Sequence, residues 1–360
     1  MLYEVRHETR FRYEWSVAIS HQLLKLRPRR CPRQNVLQTQ IQVTPQPGVH
    51  REWFDYFGNV VEFVTVQGTH SELVVTSTAQ VEVLPASAVL LEVSPPWESV
   101  VEMLGAATTT DALAAAPFCF ESPYIRLDPE IQAFARQLFP PGQPLLVGAM
   151  ALTRQIYQTF RYQGGVTDIY TPAIDVLRQQ RGVCQDFAHL AIATLRSLGL
   201  AARYVSGYLL TTPPPGRPKL QGADESHAWL SVWCPKLGWV DFDPTNNCIP
   251  DQAHITVGWG RDYGDVSPVN GFIFGGGHHD VAVAVDVHPM AERFGPLCVD
   301  HDAARAGTGA DGYRGAGRRL RGCRLRRSEC RVRGPRGARD RACIARPASA
   351  DGAGADRTGA

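Results

Sequence analysis

The stretch that most constrains this chain starts at R-G-V-C-Q-D-F-A-H-L, residues 181–190. After the Gly182 turn, Phe187, Leu190, Ala191, Thr194, Leu195 and Leu198 recur at helical spacing. They predict an amphipathic helix over 184–198 with those side chains on one face. Gly199 supplies a left-handed stop. Three β segments follow: Ala202 to Leu210, His227 to Trp233, and Trp239 to Asp243. The Pro-rich run T-T-P-P-P-G-R-P-K-L-Q-G joins the first two and reads as an exposed loop of restricted backbone freedom. A helix packed on an antiparallel sheet is the arrangement that buries both, so this part of the chain is α+β.

Upstream, the pattern changes twice. Tyr3, Val5, His7, Thr9, Phe11 and Tyr13 alternate with charged residues, which is the period of a half-buried strand. Arg51 to Tyr56 and Val60 to Val66 flank the turn signal F-G-N and predict a hairpin, and Leu73 to Val83 is a further β-rich run. These short strands suggest a small sandwich or barrel over residues 1–90. Residues 91–150 read as a helical connector. Asp128 caps a helix that opens on Pro129, Pro144 to Phe160 predicts a second, and Thr171-Pro172 opens a short third. Residues 151–290 then form the expected catalytic domain.

Composition divides the chain near residue 290. Hydrophobic residues make up 44% of the 360, enough for a sizeable core. Residues 291–360 hold 16 arginines, no lysine and 8 acidic residues, a net charge of +8 against +2 for the whole chain. The body is therefore mildly acidic, and nothing in it points to nucleic acid. The tail shows no helical or strand period and too little apolar surface to offset the entropy of ordering it, so it is expected to be disordered. Arginine without lysine suggests GC-rich DNA read in an altered frame. The start, M-L-Y-E-V-R-H, lacks the apolar core of a signal peptide, and no run approaches the roughly 18 apolar residues of a membrane span. A soluble cytoplasmic protein with no membrane partner is the expectation. Nine cysteines with no C-x-x-C pair suggest neither a disulfide framework nor a zinc knuckle.

The candidate chemistry lies at element ends. Cys184 opens the predicted helix, where the positive end of the dipole favours a thiolate. His227 begins a strand, and Asp243 precedes Pro244 at the end of another. Nucleophile, base and orienting carboxylate need only those three groups within reach of a cleft. His189 is the rival base, but five residues along the same helix turn it away from the thiol. Asp241 shares the parity of Asp243, so alternation alone leaves the two open. Proline stops the strand after Asp243 and favours it at the cleft edge. The backbone N–H of Cys184 is the natural first oxyanion donor. Gln185 reads as a helix-surface or packing residue. His278-His279 lacks a completed ligand set, so no metal and no cofactor are expected.

R-G-V-C-Q-D-F-A-H-L, R-Y-V-S-G-Y-L, S-H-A-W-L-S-V-W and G-W-V-D-F-D-P-T-N together resemble the core motifs of the bacterial transglutaminase-like superfamily. D-Y-F-G-N resembles its β-rich N-terminal region, and W-G-R-D-Y-G-D-V-S-P-V-N-G the segment after the core. The resemblance runs from residue 1 to about 290. It implies a papain-like fold with Cys184 as nucleophile, His227 as base and Asp243 as third member. The implied reaction is acyl transfer through a thioester, on a peptide, protein or amide substrate. Hydrolysis is the leading expectation, transamidation the alternative, and a catalytically idle scaffold a third. No acidic calcium loop is visible, so calcium dependence is not implied.

Overall fold

A computed structural model describes residues 1–86, 88–211 and 225–290. The Pro-rich run from residue 212 and the tail expected to be disordered, residues 291–360, lie outside the described residues. The first half is β1 (Leu2–Leu24), β2 (Gln34–Thr44), β3 (Val49–Phe54) and β4 (Val60–Val83), then α1 (Trp97–Ala106), α2 (Thr110–Ala115), α3 (Pro129–Leu138) and α4 (Leu145–Thr159). The second half is β5 (Arg161–Tyr162), α5 (Ala173–Gln179), β6 (Arg181–Gly182), α6 (Cys184–Ser197), β7 (Ala202–Leu209), β8 (Glu225–Cys234), β9 (Gly238–Phe242), β10 (His254–Gly260), α7 (Tyr263–Val266), β11 (Val269–Gly275) and β12 (His279–Pro289). No helix among these residues is long and apolar enough to cross a membrane.

The first sheet is antiparallel and built on two long strands. β1 runs against β4 from Leu2↔Glu82 to Leu24↔Glu62, with ladder breaks between Arg12 and Val17 and between Val17 and Ile19. The two runs 60–66 and 73–83, read from sequence as separate strands, are one strand here. Gly68 at φ +98° sits at the break and lets β4 swing through it without turning back. On either side of the break the ladder has its own flanking strands: β2 and β12 on one half, β3 and β11 on the other. Tyr13, Val17, Leu24, Val64, Val66, Leu73 and Val75 come from both halves and share one core. That sharing is what makes the layer sandwich-like.

The second sheet has the order β10-β7-β8-β9, all antiparallel. Helices α1 to α6 pack on it through a single apolar cluster that runs from Val100 to Val266. The helices expected as a connector thus contribute to the same core as α6. β11 and β12, from the stretch grouped with the catalytic domain, pair with β1.

The two sheets meet where Tyr3, Val5, Ala79, Val81, Val285 and Val287 pack on Tyr208, Ile255 and Val257. Two side-chain amides seal the contact. Gln34 donates to the Thr256 carbonyl (2.7 Å) and accepts from its N–H (2.8 Å); Asn59 does the same to Trp259 at 2.8 and 3.0 Å. They occupy the open edge of β10 as a neighbouring strand would. Asn59 is itself held by Asp55 of the D-Y-F-G-N turn, whose carboxylate accepts from the Phe57 and Asn59 backbones at 2.9 Å each.

Candidate active site

The site begins at the start of α6. Val183 is extended at φ −118°, so the chain enters the helix from a strand-like residue. Its N–H donates to the Asp186 carboxylate at 2.7 Å, and the same oxygen accepts from the Thr167 hydroxyl at 2.7 Å. Burial raises the pKa of Asp186, against these two bonds. Gly182 is required by contact: a Cβ there would stand 2.6 Å from that carboxylate oxygen. Cys184 is the next residue after Val183 and is partly exposed. Burial pushes the thiols of Cys119 and Cys234 up to about 11 and that of Cys248 up to about 12.

His227 lies on β8 opposite Gly207 of β7. It is 4% exposed, and Asp243, at the end of β9, is fully buried. The His227 Nε2–H donates to Asp243 Oδ2 at 2.7 Å. Nδ1 is then the nitrogen free to meet the Cys184 thiol. Burial works against the imidazolium, but the hydrogen bonds to Asp243 and Cys184 outweigh it and raise the pKa of His227. Asp243 is correspondingly held well below the usual carboxylate range: burial opposes its charge, and His227 and His254 favour it.

Asp243 is saturated with donors. Oδ2 also accepts from His254 Nε2 at 3.0 Å and from Asn246 Nδ2 at 2.7 Å. Oδ1 accepts from the backbones of Thr245 (2.9 Å) and Asn246 (3.2 Å). Trp229, fully buried, packs beside both histidines, its ring 6.0 Å from His227 and 5.3 Å from His254. The indole occupies the space that a Gly207 side chain would need, since a Cβ there would fall 2.5 Å from it.

The neighbouring candidates go elsewhere. Asp241 accepts from the Ser231 hydroxyl rather than meeting His227. His189 is 3% exposed, and its Nε2 accepts from the Tyr263 backbone at 3.2 Å. Burial, with Arg196 nearby, lowers its pKa to about 3. Gln185 is half-buried and its amide points to the Ile169 carbonyl at 3.5 Å. His279 packs beside Phe11 and Tyr13 at the start of β12. His227, Asp243 and His254 are the group among the described residues whose donor atoms converge closely enough for a metal ion. Their 2.7 and 3.0 Å contacts are hydrogen bonds, and a metal would have to displace both protons and spread the atoms.

Residues 3–82 match the bacterial transglutaminase-like N-terminal region, and residues 132–244 the transglutaminase-like superfamily core. An uncharacterized protein of Mycobacterium bovis is 38% identical over 298 residues, which cover 80% of this chain and 93% of that protein.

The chain belongs to the transglutaminase-like superfamily.

A second uncharacterized relative, from Mycobacterium leprae, is 32% identical over 290 residues, covering 80% of this chain and 98% of its own. A crystal structure from Cytophaga hutchinsonii, of a protein provisionally designated a cysteine protease, shares the fold. Its TM-score is 0.64 at 22% identity, covering 82% of this chain and 93% of that one. A protein-glutamine gamma-glutamyltransferase of Pseudomonas aeruginosa is 29% identical over 129 residues, 35% of this chain and 19% of its own. Two residues around His227 and Asp243, His254 and Asn246, escaped the sequence reading. Asn246 had a signal, three residues after Asp243 in D-P-T-N. His254 had none, because its contact with Asp243 is made across β7 and leaves no mark in the local pattern.

Proposed function

We propose that the protein is a thiol-dependent acyl-transfer enzyme with Cys184 as nucleophile, His227 as base and Asp243 as orienting carboxylate. The observation that carries this reading is a buried imidazole held between the Asp243 carboxylate and the Cys184 thiol. His227 takes the thiol proton as sulfur attacks the carbonyl carbon of a peptide or amide. The tetrahedral oxyanion forms beside the Cys184 N–H at the helix start. Collapse breaks the C–N bond, and the imidazolium returns its proton to the departing amine. A thioester on Cys184 remains. Water, deprotonated by the same imidazole, resolves it to a carboxylic acid and restores the thiol. Asp243 keeps the ring hydrogen on Nε2 and favours the imidazolium between these steps.

An amine in place of water would make the same thioester a transamidation intermediate. The 129-residue match to a gamma-glutamyltransferase supports that second reading. Both are tested by one experiment. A library of peptide and amide substrates is offered to the wild-type protein and to Cys184→Ala, and the Cys184 peptide is weighed after rapid acid quench. An acyl adduct at Cys184, absent from the variant, supports the mechanism. Turnover that persists in Cys184→Ala overturns it. Adding a primary amine separates the outcomes: amide product marks transamidation, and acid product alone marks hydrolysis.

A further inference from the structure

We infer that His254 is a positioning residue for this site, a second histidine that holds Asp243 in place while His227 works. The inference rests on the nucleophile–base reading above and deepens it. His254 is 7% exposed and enters from β10, on the far side of β7 from His227. Its Nε2 reaches Asp243 Oδ2 at 3.0 Å, the same oxygen that holds His227 at 2.7 Å. Its other nitrogen, Nδ1, is buried and has no hydrogen-bond partner among the described residues. A buried imidazole whose one polar contact is this carboxylate has no other polar role to serve.

The arrangement does three things for Asp243. It supplies a third donor to Oδ2, so the carboxylate stays ionised although fully buried. It fixes the position of that oxygen from a strand other than those that carry Asp243 and His227. The two imidazoles, 6.0 Å apart and tilted by 53°, meet the carboxylate from different directions, and Trp229 packs beside both. The D-Y-F-G-N turn enters here as well: Asn59 and Gln34 clamp β10 to the first sheet, and β10 is the strand that aims His254.

The test uses the rate of Cys184 alkylation by iodoacetamide, which needs no knowledge of the substrate. His254→Gln places an amide N–H close to the position of the imidazole Nε2, whereas His254→Asn, one bond shorter, does not reach Asp243. We expect His254→Asn to slow alkylation of Cys184 about tenfold and His254→Gln to recover most of that loss, the size expected for one hydrogen bond to a charged group. His254→Phe, which removes the donor and keeps the ring volume, should match His254→Asn and replaces it if that variant melts below the assay temperature. If Gln and Asn are equally slow, the hydrogen bond is not what matters and the inference falls. If both alkylate at the wild-type rate, it falls too. The underlying reading fails separately: wild-type Cys184 would then react no faster than in His227→Ala.

Discussion

At the scale of single residues, the geometry orders the side chains by consequence. Cys184→Ala should abolish turnover and His227→Ala should come close. Asp243→Ala should cost less than either, because it removes orientation and not a reacting atom. Asp241→Ala should be mild, since Asp241 is engaged by Ser231. Steady-state rates for the four variants check the order, and retained activity in Asp243→Ala with loss in Asp241→Ala would reverse the assignment. Two of the buried histidines, His227 and His189, also predict opposite pH responses. Burial disfavours the charge on His227, but Asp243 and Cys184 raise its pKa to about 10 from 6.5. Its contribution to stability is thus complete below pH 6.5 and is lost as pH rises through about 10. His189 is lowered to about 3, so the unfolded chain takes up a proton that the folded one refuses, and stability falls as pH drops from 6.5 toward 3. Melting temperature against pH should show both slopes. Asp243→Asn should flatten the alkaline one, and His189→Gln should reduce the acid one, to which His7, lowered to about 4 by burial, also contributes. Sequence could place Cys184 and His227 because a helix start and a strand start leave local signals. It could not separate Asp243 from Asp241 by parity, and it passed over His254, because a contact made across β7 leaves no mark in the local pattern.

At the scale of elements, the helix that bears Cys184 differs from the amphipathic one its sequence suggested. Every residue from Asp186 to Arg196 is buried, because α3, α4 and α5 cover the sides that β7 and β8 leave open. The sequence reads one-faced, with Thr194 on the apolar side, because His189 and Arg196 are polar by residue type. Each is satisfied internally. Thr194 donates to the Leu190 carbonyl at 2.7 Å. Arg196 spreads its guanidinium over the carbonyls of Ala202, Phe120 and Arg261 and the Ser122 hydroxyl. Arg196→Met should therefore cost about 3 kcal/mol or more, since the carbonyls stay buried without donors. Chemical denaturation would show it, and a loss below about 1 kcal/mol would mean that water replaces the guanidinium. At the other end of α6, Gly182→Ala drives a Cβ into Asp186 and should displace the Val183 bond that shapes the helix start. The expected result is a large fall in Cys184 reactivity toward iodoacetamide with a smaller fall in stability. Equal reactivity would show that the helix start tolerates the shift.

At the scale of the whole molecule, the chain closes on itself through its last described strand. β12 pairs with β1 along its length, from Tyr3↔Pro289 to Tyr13↔His279, and the Met290 N–H donates to the Leu2 carbonyl at 2.8 Å. Val285 and Val287 lie in the cluster that joins the first sheet to Tyr208, Ile255 and Val257. The β-branched run V-A-V-A-V-D-V fits a strand, but its partner has no local signature, because the two strands lie more than 260 residues apart in the chain. Two truncations distinguish the role of β12 from that of the arginine-rich tail. A chain ending at Met290 discards 16 arginines and little apolar surface, and it should keep both the melting temperature and the Cys184 alkylation rate of the full chain. A chain ending at Gly277 discards β12 as well. It exposes the edge of β1, uncovers Tyr3 and Val5, and removes the two valines from the contact between the sheets. That shorter chain should melt many degrees lower or precipitate, and its Cys184 should lose its selective reactivity because β7 and β10 lose the layer behind them. Differential scanning calorimetry of the two chains decides the matter. A full-length melting temperature in the chain ending at Gly277 would mean that the second sheet and its helices hold the site without the first sheet closed. A large drop already at Met290 would mean that the arginine-rich tail contributes to the fold.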